Sequence, residues 1–333
     1  MNKRVVITDF DYPDDAIERK IIEGAGFELE SFHALEQEEI AAVALGASSL
    51  LVQYGKVGSA VIDAVPTLEH IARYGVGVDI VDVDYATRQS IQVTNVPADY
   101  CLNEVADHAV AMLLAINRQL FSYDRAVRSG AWRWQDGAPI RRLADCTVGV
   151  IGLGRIGQAI VRRVSGFGST IIAHDPFCPD KTFLELGVSP VSRDQLLSQS
   201  DYVILQTPLT PETKGMIGAD ELASMKQGAA LINTARGPLV DTEALDAAIR
   251  SGHIRAAGFD DLPEEPAKQA EWIPRDKLLE NPDTVITPHA AYYSEQSLEF
   301  CRAFAAEEAV RFLRGEAVRS PVNHIHRRRE GVT

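Results

Sequence analysis

The sequence is poor in cysteine, and its four, Cys101, Cys146, Cys178 and Cys301, lie far apart with no CxxC pair. That spacing excludes a zinc framework and a disulfide-stapled scaffold, and it fits a reducing, cytoplasmic compartment. No metal site is expected, and no cysteine has the basic neighbours that would mark it as a nucleophile. Basic charge is scarce as well: 33 Lys and Arg stand against 47 Asp and Glu, a formal net charge of -14. A nucleic-acid surface needs a basic stripe and an anionic lipid surface a polybasic patch, so neither partner is expected. The arginine run in HIHRRREGVT is too short, on so acidic a chain, to change that. Long apolar runs are missing too, so no membrane span is expected. The opening MNKRVVITDF has one short apolar stretch containing Asp9 and reads as a first strand, not a signal peptide.

What is present is an ordinary globular composition, 46% hydrophobic and 24% charged, over 333 residues, enough for two domains with cores of their own. The chain is organised around Thr147–Pro176. An apolar run (Val148, Val150, Ile151) reads as a buried strand, breaks at Gly152-Leu153-Gly154-Arg155-Ile156-Gly157, and resumes as an amphipathic helix from Gln158. In such a strand–turn–helix unit Gly152 permits the tight turn. Gly154 lets a pyrophosphate approach the backbone, and Gly157 lets helix and strand pack closely. The helix N-terminus offers N–H groups to an anion. Asp175 follows Gly157 by 18 positions, after a second apolar run, where a carboxylate can hold both ribose hydroxyls and repel the 2′-phosphate of NADP. The cofactor expected is NAD.

Short apolar runs alternate with helical patterns along the whole chain, which argues for doubly wound parallel sheets. Strands are expected at 4–8, 27–32, 49–52, 71–74 and 92–95, then at 147–151, 170–173, 201–206, 229–233, 256–260 and 284–287. One long helix is expected from Leu102 to about Ser122, long enough to pack on a partner subunit as well. Ser129 to Leu143, with Trp132 and Trp134, reads as an irregular arm.

In doubly wound sheets ligands sit at the carboxyl ends of the strands. The groups just past those ends are Arg236, the acids from Asp260 to Glu265, and His289. A guanidinium can hold a carboxylate and polarise the oxygen next to it. An imidazole can exchange the hydroxyl proton near neutral pH, and a carboxylate can orient it and keep it protonated. Together they suit hydride transfer on a carbonyl or alcohol.

The motifs VGVIGLGRIGQAI (148–160), QTPLTPETKGMI (206–217), LINTARGPLVD (231–241), GFDDLPEEP (258–266) and TPHAA (287–291) occur in this order. With them, nearly the full chain resembles the D-isomer-specific 2-hydroxyacid dehydrogenases. The resemblance implies that Arg236 binds substrate, that His289 is the acid/base and that Glu265 completes its dyad. It implies cofactor contacts at Val76, Gly152, Gly154, Arg155, Ile156, Gly157, Asp175, Thr207, Pro208, Thr213, Thr234, Ala235, Arg236, His289 and Ala291. Asp260 would lie near the nicotinamide carboxamide. Arg73-Tyr74-Gly75-Val76-Gly77-Val78-Asp79 resembles the loop whose backbone amides grip the substrate carboxylate, and Tyr54, Gly55, Val76, Gly77 and Tyr292 are implied substrate contacts.

The implied architecture is α/β: a Rossmann cofactor domain (101–290) inserted into a flavodoxin-like substrate domain (1–100 plus 291–333), with hinges near 97–101 and 288–291. The helix and arm over 102–143 match the family's dimerisation region, so a homodimer is expected. The expected activity is NAD-dependent interconversion of a small 2-keto acid and a D-2-hydroxy acid. His289-Ala290-Ala291-Tyr292-Tyr293-Ser294-Glu295-Gln296 resembles the C-terminal-binding protein branch, whose members are NAD-dependent corepressors. An NAD-sensing protein-binding module is therefore the alternative. Departures from the family pattern are Ala290-Ala291 where Gly-Gly is common, Tyr292 where that branch has tryptophan, and Gln53-Tyr54-Gly55 without the arginine of phosphoglycerate dehydrogenases.

Overall fold

Alternation of short apolar runs with amphipathic segments builds two parallel α/β sheets in the computed structural model, which describes residues 3–263 and 276–325. The chain divides into two units: residues up to Tyr100 with those from Ser294 onward, and the described residues between Cys101 and Tyr293.

The first unit opens with β1 (Arg4–Ile7), α1 (Ala16–Gly24), β2 (Glu28–Ser31), α2 (Gln37–Val43), β3 (Ser49–Val52), α3 (Ser59–Ala64), β4 (His70–Arg73), α4 (Val83–Arg88) and β5 (Gln92–Asn95). Its five strands lie parallel in the order β2-β1-β3-β4-β5. β3 is buried along its whole length, as an apolar strand covered on both faces must be. One face packs Val6, Leu50, Ile71 and Val93 against α2 and α3 through Ile40, Val61 and Ile62.

The second unit contains α5 (Leu102–Asn117), α6 (Leu120–Arg128), β6 (Thr147–Ile151), α7 (Arg155–Ser165), β7 (Thr170–His174), α8 (Asp180–Leu186), β8 (Ser189–Pro190) and α9 (Arg193–Gln199). It continues with β9 (Tyr202–Leu205), α10 (Ala219–Ser224), β10 (Ala229–Asn233), α11 (Thr242–Arg250), β11 (Ile254–Phe259) and β12 (Thr284–Ile286). Its seven strands run in the order β12-β11-β10-β9-β6-β7-β8. The direction of winding reverses between β6 and β9, a topological switch point. α5 lays Ala109, Met112, Leu113 and Ile116 on one face of this sheet beside Ile160 and Val164 of α7. α9, α10 and α11 cover the other face with Leu196, Leu222 and Leu245.

The single helix expected over 102–122 is two. Gln119 takes a left-handed backbone (φ 56°) and ends α5, so α6 starts afresh at Leu120 and buries none of its residues. The arm that follows is irregular, with short 3-10 turns at Trp134–Gly137 and Leu143–Asp145.

The chain then returns to the first unit as α12 (Glu295–Leu313), started by Ser294, whose hydroxyl accepts the Ser297 N–H. This helix supplies Cys301, Phe304, Ala305, Ala309, Phe312 and Leu313 to the second face of the first sheet, against Val5, Ile7, Leu51 and Ala72. A buried ion pair clasps α12 to α1: Arg302 Nε and Nη2 donate to Glu18 Oε1 (2.9 Å) and Oε2 (2.7 Å). The Tyr74 hydroxyl donates to the same Oε1 at 3.2 Å, and burial beside Glu18 pushes that phenol well above its usual range.

Candidate active site

Strand register decides which loops of the second unit meet. His174 pairs with Ile151, Ile151 with Leu205, Leu205 with Asn233, Asn233 with Phe259, and Phe259 with Ile286. Strands β7, β6, β9, β10, β11 and β12 therefore end on one level row, and the next residue of each begins a loop on the same edge. Those loops hold Asp175, Gly152–Gly157, Gln206–Thr213, Thr234–Arg236, Asp260 and Thr287–Ala291, which is nearly every residue singled out in the sequence on this unit.

The glycine-rich turn shows why each glycine is there. Gly152 has φ +95°, and a Cβ on it would lie 2.4 Å from the carbonyl oxygen of Gln206, at the end of β9. A Cβ on Gly157 would lie 2.1 Å from the Gly152 carbonyl oxygen, so helix and turn touch backbone to backbone. Gly154 is different: nothing lies within 4 Å of its Cβ position, and no side chain caps the first turn of α7. Open space in front of uncapped N–H groups at a helix N-terminus suits a diphosphate. Asp175 is held by Leu153 N–H donating to Oδ2 (2.8 Å) and Phe177 N–H to Oδ1 (2.9 Å), which sets its carboxylate beside the turn. This donor set fits a dinucleotide whose ribose carries free hydroxyls. Arg155 and Ile156 form the first turn of α7, Arg155 exposed and Ile156 half-buried.

The loop after β9 is built by its own threonines. The Thr213 hydroxyl donates to the Pro208 carbonyl (2.7 Å) and accepts the Thr210 N–H (2.8 Å), so this residue shapes the turn. Thr207 donates to the Met216 sulfur (3.6 Å), and Pro208 is exposed. Thr234 accepts from Gln206 Nε2 (2.5 Å), tying this loop to the next.

After β10, buried Asn233 clamps the turn that carries the arginine: its Nδ2 donates to the Arg236 carbonyl (2.8 Å) and its Oδ1 accepts the Ala235 N–H (3.0 Å). Arg236 is half-buried and donates from Nη1 to the Ala235 carbonyl (2.8 Å). Its backbone is extended (φ -149°), and Gly237 follows because a Cβ there would lie 2.4 Å from the Leu262 carbonyl carbon.

His289 sits in a left-handed backbone (φ 49°), rare for a residue with a side chain. Asp260 holds it there. The His289 N–H donates to the Asp260 carbonyl (2.5 Å), and the Asp260 carboxylate accepts from Ala290 N–H (2.9 Å), Ala291 N–H (2.8 Å) and the Thr287 hydroxyl (2.5 Å). His108 of α5 reaches the same cluster, with Nε2 2.9 Å from Thr287 Oγ1 and 3.7 Å from Asp260 Oδ1. Asp260 is thus a buried buttress of the histidine loop, a positioning task that the resemblance did not imply. Tyr292 places its ring edge-to-face with the His289 imidazole, centroids 6.2 Å apart. Glu265 lies outside the described residues. No group of His, Cys, Asp and Glu suited to a metal occurs among the described residues.

The first unit carries Tyr54 and Gly55 after β3, and Val76 and Gly77 after β4. Gly75 has φ +125°, and a Cβ on it would overlap Arg73 Nη1 at 1.7 Å. Arg73 Nε is buried with no hydrogen-bond partner among the described residues. Asn95 Nδ2 donates to the Val76 carbonyl (2.7 Å) and steadies this loop. Sequence reasoning passed over His108, and it quoted Asn233, Thr287 and Arg73 within motifs without giving them a task of their own. The one available signal was position: Asn233, Thr287 and Arg73 each sit at or next to a strand end.

A row of this kind is that of a dinucleotide-binding domain. Comparison with known proteins narrows it: the chain belongs to the D-isomer specific 2-hydroxyacid dehydrogenase family, whose NAD binding domain model matches residues 110–291. It is 38% identical to D-3-phosphoglycerate dehydrogenase of Mycobacterium leprae over 83% of this chain and 51% of that protein. It is 39% identical to glyoxylate reductase of Korarchaeum cryptofilum, over 80% of each. The crystal structure of D-lactate dehydrogenase from Aquifex aeolicus with NAD and lactic acid superposes with a TM-score of 0.86 at 30% identity, covering 94% of this chain and 96% of that one. The chain spans about half the length of the mycobacterial relatives it matches.

Proposed function

We propose that the protein is an NAD-dependent dehydrogenase that interconverts a small 2-keto acid and a D-2-hydroxy acid. The level row of strand ends supports this most directly, since it places the glycine-rich turn, Asp175, Arg236, Asp260 and His289 on one edge. When bound, the nicotinamide supplies or accepts the hydride at the substrate's C2. The guanidinium of Arg236 holds the substrate carboxylate and draws electron density from the neighbouring carbonyl oxygen. His289 gives that oxygen its proton during reduction and takes it back during oxidation. Asp260 keeps the imidazole in place through the backbone bonds described above, and Glu265 is proposed as the carboxylate that keeps it protonated. The Val76–Gly77 loop, with Arg73 at its root, is proposed to offer its backbone amides to the substrate. The four free cysteines support a reducing, cytoplasmic setting.

The test is NADH oxidation with a panel of 2-keto acids, using wild type and His289→Ala. Wild type is expected to turn over. The variant should lose at least about 100-fold in kcat while NADH binding stays largely intact, because it removes the proton donor and leaves the glycine-rich turn and Asp175 in place. A variant as fast as wild type would overturn the role of His289. Tight NADH binding with no turnover of any acid would favour the NAD-sensing module instead.

A further inference from the structure

The carboxyl edge of the first sheet carries an unusual concentration of committed donors. β1, β3 and β4 are neighbours there, with Ile7 paired to Leu51 and Val52 to Arg73. Asp9, 2% exposed, lies just past β1. Its carboxylate accepts the N–H of Gln53 (3.3 Å), Tyr54 (2.5 Å) and Gly55 (3.1 Å) along with the Thr8 hydroxyl (2.7 Å). Successive backbone N–H groups of this kind form an anion-binding concavity, and here the protein fills it with its own carboxylate. The side chains of the same loop turn to a second acid: Gln53 Nε2 donates to Asp11 Oδ1 (2.6 Å), and the Tyr54 hydroxyl donates to Asp11 Oδ2 (3.0 Å). Asp11 N–H in turn donates to Gln53 Oε1 (3.0 Å), which locks the arrangement. The amides and side-chain donors of Gln53 and Tyr54, and the Gly55 amide, therefore already serve aspartates. Lys56 and His33 are the exposed basic groups beside them, and the ring of Phe10 lies 4.7 Å from that of His33.

We infer that this edge selects an uncharged substrate side chain: Asp9 and Asp11 occupy the donors of the Gln53–Gly55 loop that a distal phosphate or carboxylate would otherwise use, and Asp11 repels it. The inference rests on the dehydrogenase reading above and names the substrate class within it, a 2-keto acid whose side chain is neutral. The phosphoglycerate dehydrogenases that the chain resembles at 38% identity act, by name, on a phosphorylated acid, so the two readings make opposite forecasts. Like charges brought together lower affinity steeply, and a phosphate facing Asp11 meets repulsion while the donors of the Gln53–Gly55 loop are already taken.

The experiment follows NADH oxidation with 2-oxobutyrate and phenylpyruvate, whose side chains are neutral, and with 3-phosphohydroxypyruvate and oxaloacetate, whose side chains are anionic. Calorimetry in parallel measures binding of D-2-hydroxybutyrate and D-3-phosphoglycerate to the NAD-saturated protein. The neutral acids are expected to show kcat/KM about 100-fold or more above the anionic ones. Asp11→Asn should raise the anionic-to-neutral ratio about tenfold, since it removes the repelling charge. Anionic acids turned over within about threefold of neutral ones, or an unchanged ratio in Asp11→Asn, would overturn the inference and leave the dehydrogenase reading standing. Selective binding of the neutral acid without turnover of any acid would overturn the dehydrogenase reading and support this subsite. Failure of both acids to bind or react would overturn both.

Discussion

Gly154 and Gly157 stand three positions apart in one turn, yet adding a methyl group should have opposite consequences at each. At Gly157 the new Cβ would meet the Gly152 carbonyl oxygen at 2.1 Å, backbone against backbone, with no flexible side chain to give way. Gly157→Ala is therefore expected to lower stability by about 1–3 kcal/mol as the helix is pushed off the turn. At Gly154 the new Cβ meets no protein atom, so Gly154→Ala should leave the melting temperature within about 2 °C of wild type. It should instead weaken NADH binding about tenfold or more, because the methyl group stands where the diphosphate must approach the backbone. Thermal unfolding and NADH titration of the two variants separate the effects. Equal loss of NADH affinity and stability in Gly154→Ala would show that the space serves packing instead of a ligand.

Among elements, the junction of β6 and β9 is fastened by Asp201, buried at the start of β9. It accepts the Thr147 N–H (2.9 Å) and pairs with Lys226 (2.8 Å) and with Arg141. Burial alone would raise this carboxyl, but the Lys226, Thr147 and Arg141 interactions outweigh it and hold it below the usual 3.8. A carboxyl depressed in the folded state contributes stability above its unfolded pKa, and that contribution disappears as pH falls through the folded value. Asp201→Asn should thus cost about 1 kcal/mol near neutral pH, modest because both cations are largely exposed. In urea unfolding followed across pH, the gap between wild type and variant should close below the ordinary carboxylate range. A gap that stayed constant into acid would mean that Asp201 acts through its shape and not its charge.

The strands and the row of site loops were legible in the sequence because buried parallel strands are short apolar runs, and each run stopped at a residue type with chemistry. Arg236, Asp260 and His289 were found this way. The break at Gln119 was not legible: Arg118 and Gln119 are good helix formers, and nothing in their local preference announces the left-handed turn between α5 and α6. α8 and α9, of seven residues each, are too short to show a clear helical period and went unread. Asp9 was seen only as an interruption in an apolar run, since nothing local announces that a carboxylate will be capped by a loop more than forty residues away.

For the whole molecule, five exposed large apolar residues of the second unit fall within one short stretch of the chain, from Leu120 to Trp134. Leu120, Phe121 and Val127 of α6 face solvent, and Trp132 and Trp134 in the arm are 86% and 70% exposed. This stretch also carries Arg118, Arg125, Arg128, Arg133, Arg141 and Arg142, a basic segment on a chain whose net charge is -14. A second copy of the chain would offer both apolar cover and acidic surface, so the homodimer is proposed to form here. Phe121→Glu together with Trp132→Glu should shift sedimentation from dimer to monomer at micromolar concentration. A wild-type protein that sediments as a monomer, or a variant that remains dimeric, would remove this region from consideration.

The placement of α12 also governs the order in which the chain can fold. One face of the first sheet is completed only by Cys301, Phe304, Ala309 and Phe312, and the clasp to α1 needs Arg302. On the ribosome, β1 to β5 emerge well before α12 and must wait for nearly two hundred further residues before that face can close. The second unit lies wholly within that interval and can fold while the first is still open. Until α12 emerges, Val5, Ile7, Leu51 and Ala72 present a bare apolar surface of the kind that chaperones hold. β1 is thus made before the second unit and yet is fully buried only after it.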